Sequence, residues 1–150
     1  DRDFVTELFD MREIMEVRSV TKFVALPDLH PAWADLDAME REHRALDREI
    51  ATRFKEFSEL DDRFHRLVGS ISSNRFFDNI RGVMSLIFHY HYQWNKRDER
   101  ERNAVAVQEH LTYIAGLNSR DPDTAIAACQ AHLGTARKTL LASLGVAETA

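Results

Sequence analysis

A chain of 150 residues, 44% hydrophobic and 30% charged, is long enough for one domain with a substantial core. Five glycines and three prolines are too few for an all-β architecture, and a net charge of −5 excludes a domain that grips nucleic acid by itself, which needs a basic face. No apolar run approaches the roughly 20 residues of a membrane span, no signal peptide is visible, and the lone Cys129 excludes an internal disulfide, which fits a reducing cytoplasm.

Apolar residues recur at three-and-four spacing nearly throughout, without competing strand alternation, so an all-α antiparallel bundle of six or seven helices is expected. Helix one is predicted over 2–26, with Phe4, Leu8, Met11, Met15 and Val24 facing inward. Pro27 and Pro31 interrupt it. A charge-rich helix over 31–50 reads as an outer one, and a third is predicted over 52–72. Ser72-Ser73-Asn74 ends that helix and offers caps to the next, over 74–95, the most apolar and aromatic of all (Phe76, Phe77, Ile80, Met84, Phe88, Trp94). The charge run from Lys96 to Arg102 is a solvated connection or the start of a fifth helix reaching Leu117. Asp121-Pro122-Asp123 supplies a cap, a proline at the first position and acid in the first turn for a last helix over 122–144, which Gly145 stops. The chain starts at Asp1, without an initiator methionine and inside a helical pattern, so it is expected to be one domain of a larger protein.

Four side chains stand out. Asp61 and His65 lie one helical turn apart, about 40° and 80° round the axis from Phe57 and at the edge of its apolar arc, whereas Asp62 and Arg66 point outward. Residues spaced in this way stack on one face and reach one ion. His110 shares a face with Val107, Ile114 and Leu117, and His132 sits among Ala125, Cys129, Ala136 and Leu140. Any one of these histidines, taken alone, reads as a satisfied core residue. An inward carboxylate is different: leaving it unpaired costs several kcal/mol, and a shared divalent cation removes that cost. Asp61, His65, His110 and His132 are therefore the predicted metal ligands. Imidazole with carboxylate suits zinc, nickel, manganese or iron, and the donor set does not choose among them; zinc is the first expectation. Cys129 is either a soft fifth ligand or a small core residue.

Other polar residues are candidates for holding a bound molecule. Arg81 shares an arc with Phe77, Met84 and Phe88, and Arg12 with Leu8 and Met15; an inward guanidinium seeks an anion. For Arg12 the ordinary partner is Glu16, one turn on, and for Arg81 it is Asp78. His91, Tyr92 and Tyr113 are candidate pocket walls. His30 and His43, among polar neighbours, are expected to be exposed.

Several stretches together resemble the FCD domain, the C-terminal effector-binding domain of FadR-subfamily regulators in the GntR family. They are Arg12-Glu13-Ile14-Met15-Glu16, Glu59-Leu60-Asp61-Asp62-Arg63-Phe64-His65, Ser72-Ser73-Asn74, Glu109-His110, and Asp121 with Ala125 and His132-Leu133. The resemblance implies that Asp61, His65, His110 and His132 bind a divalent metal inside an antiparallel bundle, and that a small organic acid occupies its open coordination sites. It further implies a homodimer that meets operator DNA only through an N-terminal winged-helix domain absent from this chain. Leu111 departs from the pattern, standing where an arginine often follows the histidine. A sensor of this kind is not an enzyme; a metal-dependent enzyme and a ligand-free dimerisation bundle are the alternatives.

Overall fold

Proline and capping decide the first break. In the computed structural model, which describes residues 2–72, 74–94 and 98–143, with side chains described to 87 in the middle stretch and to 142 in the last, helix α1 (Arg2–Val24) stops three residues before Pro27. α2 (Pro31–Arg48) starts with proline in its first turn, and the His30 ring accepts the amide hydrogen of Ala32 at 3.2 Å. His30 is thus a half-buried cap rather than an exposed side chain.

The helix expected over 52–72 is divided. A single-turn helix α3 (Ile50–Arg53) and a 3-10 turn (Phe54–Glu56) precede α4 (Phe57–Ser70). Arg53 holds the junction by bonding Glu49 at 3.1 Å and Glu56 at 2.6 Å, while the Asn103 amide donates to the Phe54 carbonyl at 2.8 Å. α5 (Arg75–Trp94) is capped by Asn74, which accepts from the Phe76 amide at 3.0 Å. α6 (Glu99–Asn118) and α7 (Pro122–Ser143) follow, the latter capped by Asp121 accepting from the Thr124 amide at 3.0 Å. The described residues therefore form an all-α bundle of six long helices and one short one, as the periodicity predicts. The side chains of Phe88, His91, Tyr92 and Trp94, and the expected stop at Gly145, lie outside the described residues.

α1 packs on α7 and α4, α7 on α6, and α2 on α6 and α4. The main core collects Val20, Phe23, Leu36, Phe64, Val68, Tyr113, Ile114, Leu117, Cys129 and Leu133. Burial of Cys129 pushes its thiol pKa up, so it behaves as a small core residue. The first turns of α1 correct the expected inward face. Val5 and Phe9 are buried against Leu140 and Leu141, while Phe4 and Met11 are exposed. Both stripes are apolar, and only the position of α7 chooses between them.

Candidate metal centre

Each predicted ligand comes from an element whose register is set by its apolar neighbours. On α4, Phe57, Leu60, Phe64 and Val68 are buried, which turns Asp61 and His65 toward α6 and α7. The outward pair Asp62 and Arg66 bond to each other at the surface. On α6, Val107, Ile114 and Leu117 bury the face that carries His110, and on α7 Ala125, Cys129, Leu133 and Leu140 do the same for His132. All four predicted ligands meet: one ligand atom from each of Asp61, His65, His110 and His132 lies within 4.8 Å of the others.

The three histidines present the same nitrogen to this point. Nε2 of His132 is 3.2 Å from Nε2 of His65 and 3.3 Å from Nε2 of His110. Asp61 Oδ1 is 3.3 Å from His110 Nε2 and 3.6 Å from His65 Nε2. Atoms bound about 2.1 Å from one ion stand roughly 3.0 Å apart at right angles and about 3.4 Å apart at tetrahedral corners. The spacing thus fits a single first-row divalent cation.

What lies behind the rings strengthens the fit. His65 Nδ1 donates to Glu16 Oε1 at 2.7 Å, and His132 Nδ1 donates to Glu109 Oε2 at 3.0 Å. His110 Nδ1 lies 2.9 Å from His43 Nε2. With every Nδ1 engaged at the back, the three Nε2 atoms are turned on one another, and a cation could take the lone pairs they offer once His65 has released its proton. Neither carboxylate was singled out at this centre from the sequence, where Glu16 reads as Arg12's partner and Glu109 as the neighbour of a histidine. His43, expected to be exposed, has no solvent exposure.

Electrostatics follow from this packing. Burial works against the His65 imidazolium, but the Glu16 charge, and hydrogen bonds to Asp61 and Glu16, raise its pKa to about 9 despite Arg12. His110 moves the other way: burial, aided by the charges of His132 and His65 and only partly opposed by Asp61, lowers it to about 3. Partial burial disfavours the Asp61 carboxylate, yet the His110 and His65 imidazoles beside it, at 3.3 Å and 3.6 Å, hold its pKa well below the usual range. Asp61 keeps 39% exposure, so the carboxylate edge of the centre is the one open to solvent.

The predicted ligand-gripping residues separate. Arg12 is at the centre: its Nη2 lies 3.3 Å from His65 Nε2, and its Nε bonds Glu16 at 3.5 Å. Arg81 pairs with Asp78 and lies against Gly69, one turn beyond His65 on α4, and its buried Nη1 makes no hydrogen bond among the described residues. Tyr113 is fully buried and donates to Glu16 Oε1 at 3.2 Å, behind His65.

Comparison with known proteins agrees with this architecture. The probable HTH-type transcriptional regulator LgoR of Escherichia coli (strain K12) is 38% identical over 144 residues, 96% of this chain and 47% of LgoR. The HTH-type transcriptional repressor NanR of Citrobacter rodentium (strain ICC168) is 30% identical over 84 residues, 55% of this chain and 32% of NanR. The chain thus matches under half the length of either relative. The metal-free FCD domain of TM0439 superposes with a TM-score of 0.75 at 22% identity, covering 97% of this chain and 96% of that one. The model of the FCD domain matches residues 7–135, the whole of the bundle from the first half of α1 to the middle of α7, and this chain belongs to the FCD domain family.

Proposed function

We propose that this chain is the ligand-sensing domain of a transcriptional regulator, in which Asp61, His65, His110 and His132 hold a divalent cation, zinc foremost, and a small organic acid completes its coordination. The observation that carries the reading is the convergence of three Nε2 atoms and a carboxylate oxygen within 4.8 Å, with every opposite ring nitrogen already engaged. Four protein ligands leave open positions on a five- or six-coordinate ion, and the exposed side of Asp61 is where a ligand enters. Arg12 stands beside the ion site, and a second cation there favours an anionic ligand. Arg81 of α5, whose buried Nη1 has no hydrogen-bond partner among the described residues and lies against Gly69 one turn beyond His65, is the second anchor, suited to a ligand's far end. When bound, the cation supplies Lewis acidity that fixes a carboxylate; Arg12 and Arg81 orient it.

Both relatives are named as regulators of transcription, which supports an output at operator DNA through a winged-helix domain outside this chain. α1 is the natural transmitter, because Arg12 and Glu16 touch His65 directly. A tenfold change in operator occupancy needs about 1.4 kcal/mol of coupling. A homodimer is supported by two apolar stripes left in solvent, Phe4, Met11 and Ile14 on α1 and Phe76, Val83 and Leu86 on α5. The carboxylates that a hydrolytic enzyme would need as bases, Glu16 and Glu109, are committed to holding imidazoles.

The test is to incubate zinc-loaded protein with small carboxylates and follow both binding and turnover. Binding with the acid recovered unchanged, and operator release or capture by the full-length regulator at saturating acid, is the expected result. Turnover, or operator affinity indifferent to the acid, contradicts the reading.

A further inference from the structure

A fourth imidazole lies behind the centre, and the four converging ligand atoms do not include it. His43 on α2 is fully buried, and both of its ring nitrogens are engaged: Nδ1 lies 2.7 Å from the Met39 carbonyl oxygen and Nε2 lies 2.9 Å from His110 Nδ1. The carbonyl can only accept, so Nδ1 of His43 carries a hydrogen. No carboxylate bonds to His43 among the described residues, and a buried imidazole without one is held neutral, which leaves a lone pair on its Nε2. That lone pair can take only a donor, so the hydrogen of neutral His110 lies on Nδ1. Its Nε2 is then an acceptor turned toward the point where His132 and Asp61 converge; Asp61, which can only accept, draws the hydrogen the other way, and the His43 contact opposes that pull until a cation takes the position between Nε2 and the carboxylate. Aromatic rings hold the relay in place. Phe64 packs 4.5 Å from the His110 ring and 5.6 Å from the His43 ring, and Phe57 packs 5.2 Å from His110.

We infer that His43 is a positioning residue for the metal centre: anchored on the Met39 carbonyl, it fixes the tautomer and the orientation of His110 so that Nε2 is ready for the cation. The inference rests on the metal reading above, and it extends the centre to α2, which supplies none of the four ligands. The backing groups then differ in kind. His65 and His132 lean on carboxylates, whereas His110, enclosed by Phe57, Phe64 and α2, leans on a neutral ring. A neutral acceptor orients the ligand without placing another buried charge in the core.

The test begins with nitrogen-resolved NMR of the imidazole rings in the metal-free wild-type chain, where the His110 hydrogen is expected on Nδ1. A hydrogen on Nε2 overturns the inference without any variant. His43→Leu removes the acceptor and keeps the bulk; it is expected to mix the His110 tautomers and weaken zinc binding roughly 10- to 100-fold. His43→Gln places an amide oxygen where Nε2 stood and is expected to restore the single tautomer and most of the affinity. Zinc binding by a folded His43→Leu variant equal to wild type, or an equal loss in His43→Gln, overturns the assignment. Should His43→Leu fail to fold, the wild-type tautomer and His43→Gln decide. Should the wild-type chain bind neither zinc nor cobalt, the metal reading falls, while the tautomer measurement still judges the role of His43.

Discussion

The carboxylate of Glu16 on α1 accepts a hydrogen bond from His65 Nδ1 on α4 at 2.7 Å, across a separation of 49 residues. This contact ties the first helix to the metal centre and sets the properties of one ligand. Glu16→Gln keeps the shape and removes the charge. In the metal-free variant the His65 pKa falls from about 9 toward its ordinary value, which an NMR titration of the ring reads directly. Zinc affinity drops about tenfold above the wild-type His65 pKa. Near neutrality the loss is smaller, because the variant has shed the proton that competes with the metal.

The same pKa gives the centre a pH dependence. A cation arriving at His65 Nε2 displaces the proton held there up to about pH 9, whereas His110, lowered to about 3, has none to lose. Zinc binding at neutral pH therefore releases about one proton from His65. The apparent affinity rises about tenfold per pH unit and levels off above the His65 pKa. Calorimetry in buffers of different ionisation enthalpy counts the proton; a release of none at neutral pH contradicts this assignment.

Gly69 lies one turn beyond His65 and against Arg81, the proposed second anion anchor. A Cβ at this position would stand 2.0 Å from Arg81 Nη1, so Gly69→Ala pushes the guanidinium aside while leaving His65 one turn away in place. Zinc affinity is expected to be unchanged. Stabilisation of the zinc-loaded protein by small carboxylates, read as a thermal shift across a series from acetate to malate, is expected to fall in both Gly69→Ala and Arg81→Ala. A shift undiminished in both variants removes Arg81 from the ligand site.

The cap of α7 is a control for fold against function. Asp121 accepts from the Thr124 amide at the start of the helix, about three turns before His132. Asp121→Ala costs about 1 kcal/mol of unfolding free energy, measured by denaturant titration, with zinc affinity unaltered.

The convergence of Asp61, His65, His110 and His132 was legible because helical spacing reports which way a side chain points. Asp61 and His65 share the edge of one apolar arc, and His110 and His132 each replace a core residue in theirs. Their backing groups were not, because each acts on a partner distant in sequence. Glu109 sits 100° round its helix from His110 and serves His132 on α7 instead. His43 lies between Glu42 and Arg44 in a charged segment, yet those neighbours point outward while it enters the core against Phe64. The inward face of the start of α1 failed for a related reason: Phe4 and Met11 compete with Val5 and Phe9, and tertiary contact with Leu140 and Leu141 selects the second pair. At the break over Ile50–Glu56, Arg53 bonds acids on either side and Asn103 of α6 holds the Phe54 carbonyl, contacts that periodicity does not register.

Metal stoichiometry tests the central claim most directly. Protein purified without chelator, or stripped and titrated with zinc, is predicted to hold one ion per chain by elemental analysis. Asp61→Ala and His132→Ala are predicted to remove it while preserving helical content. Absence of a bound ion in the wild-type chain, or equal loading of both variants, would contradict the account.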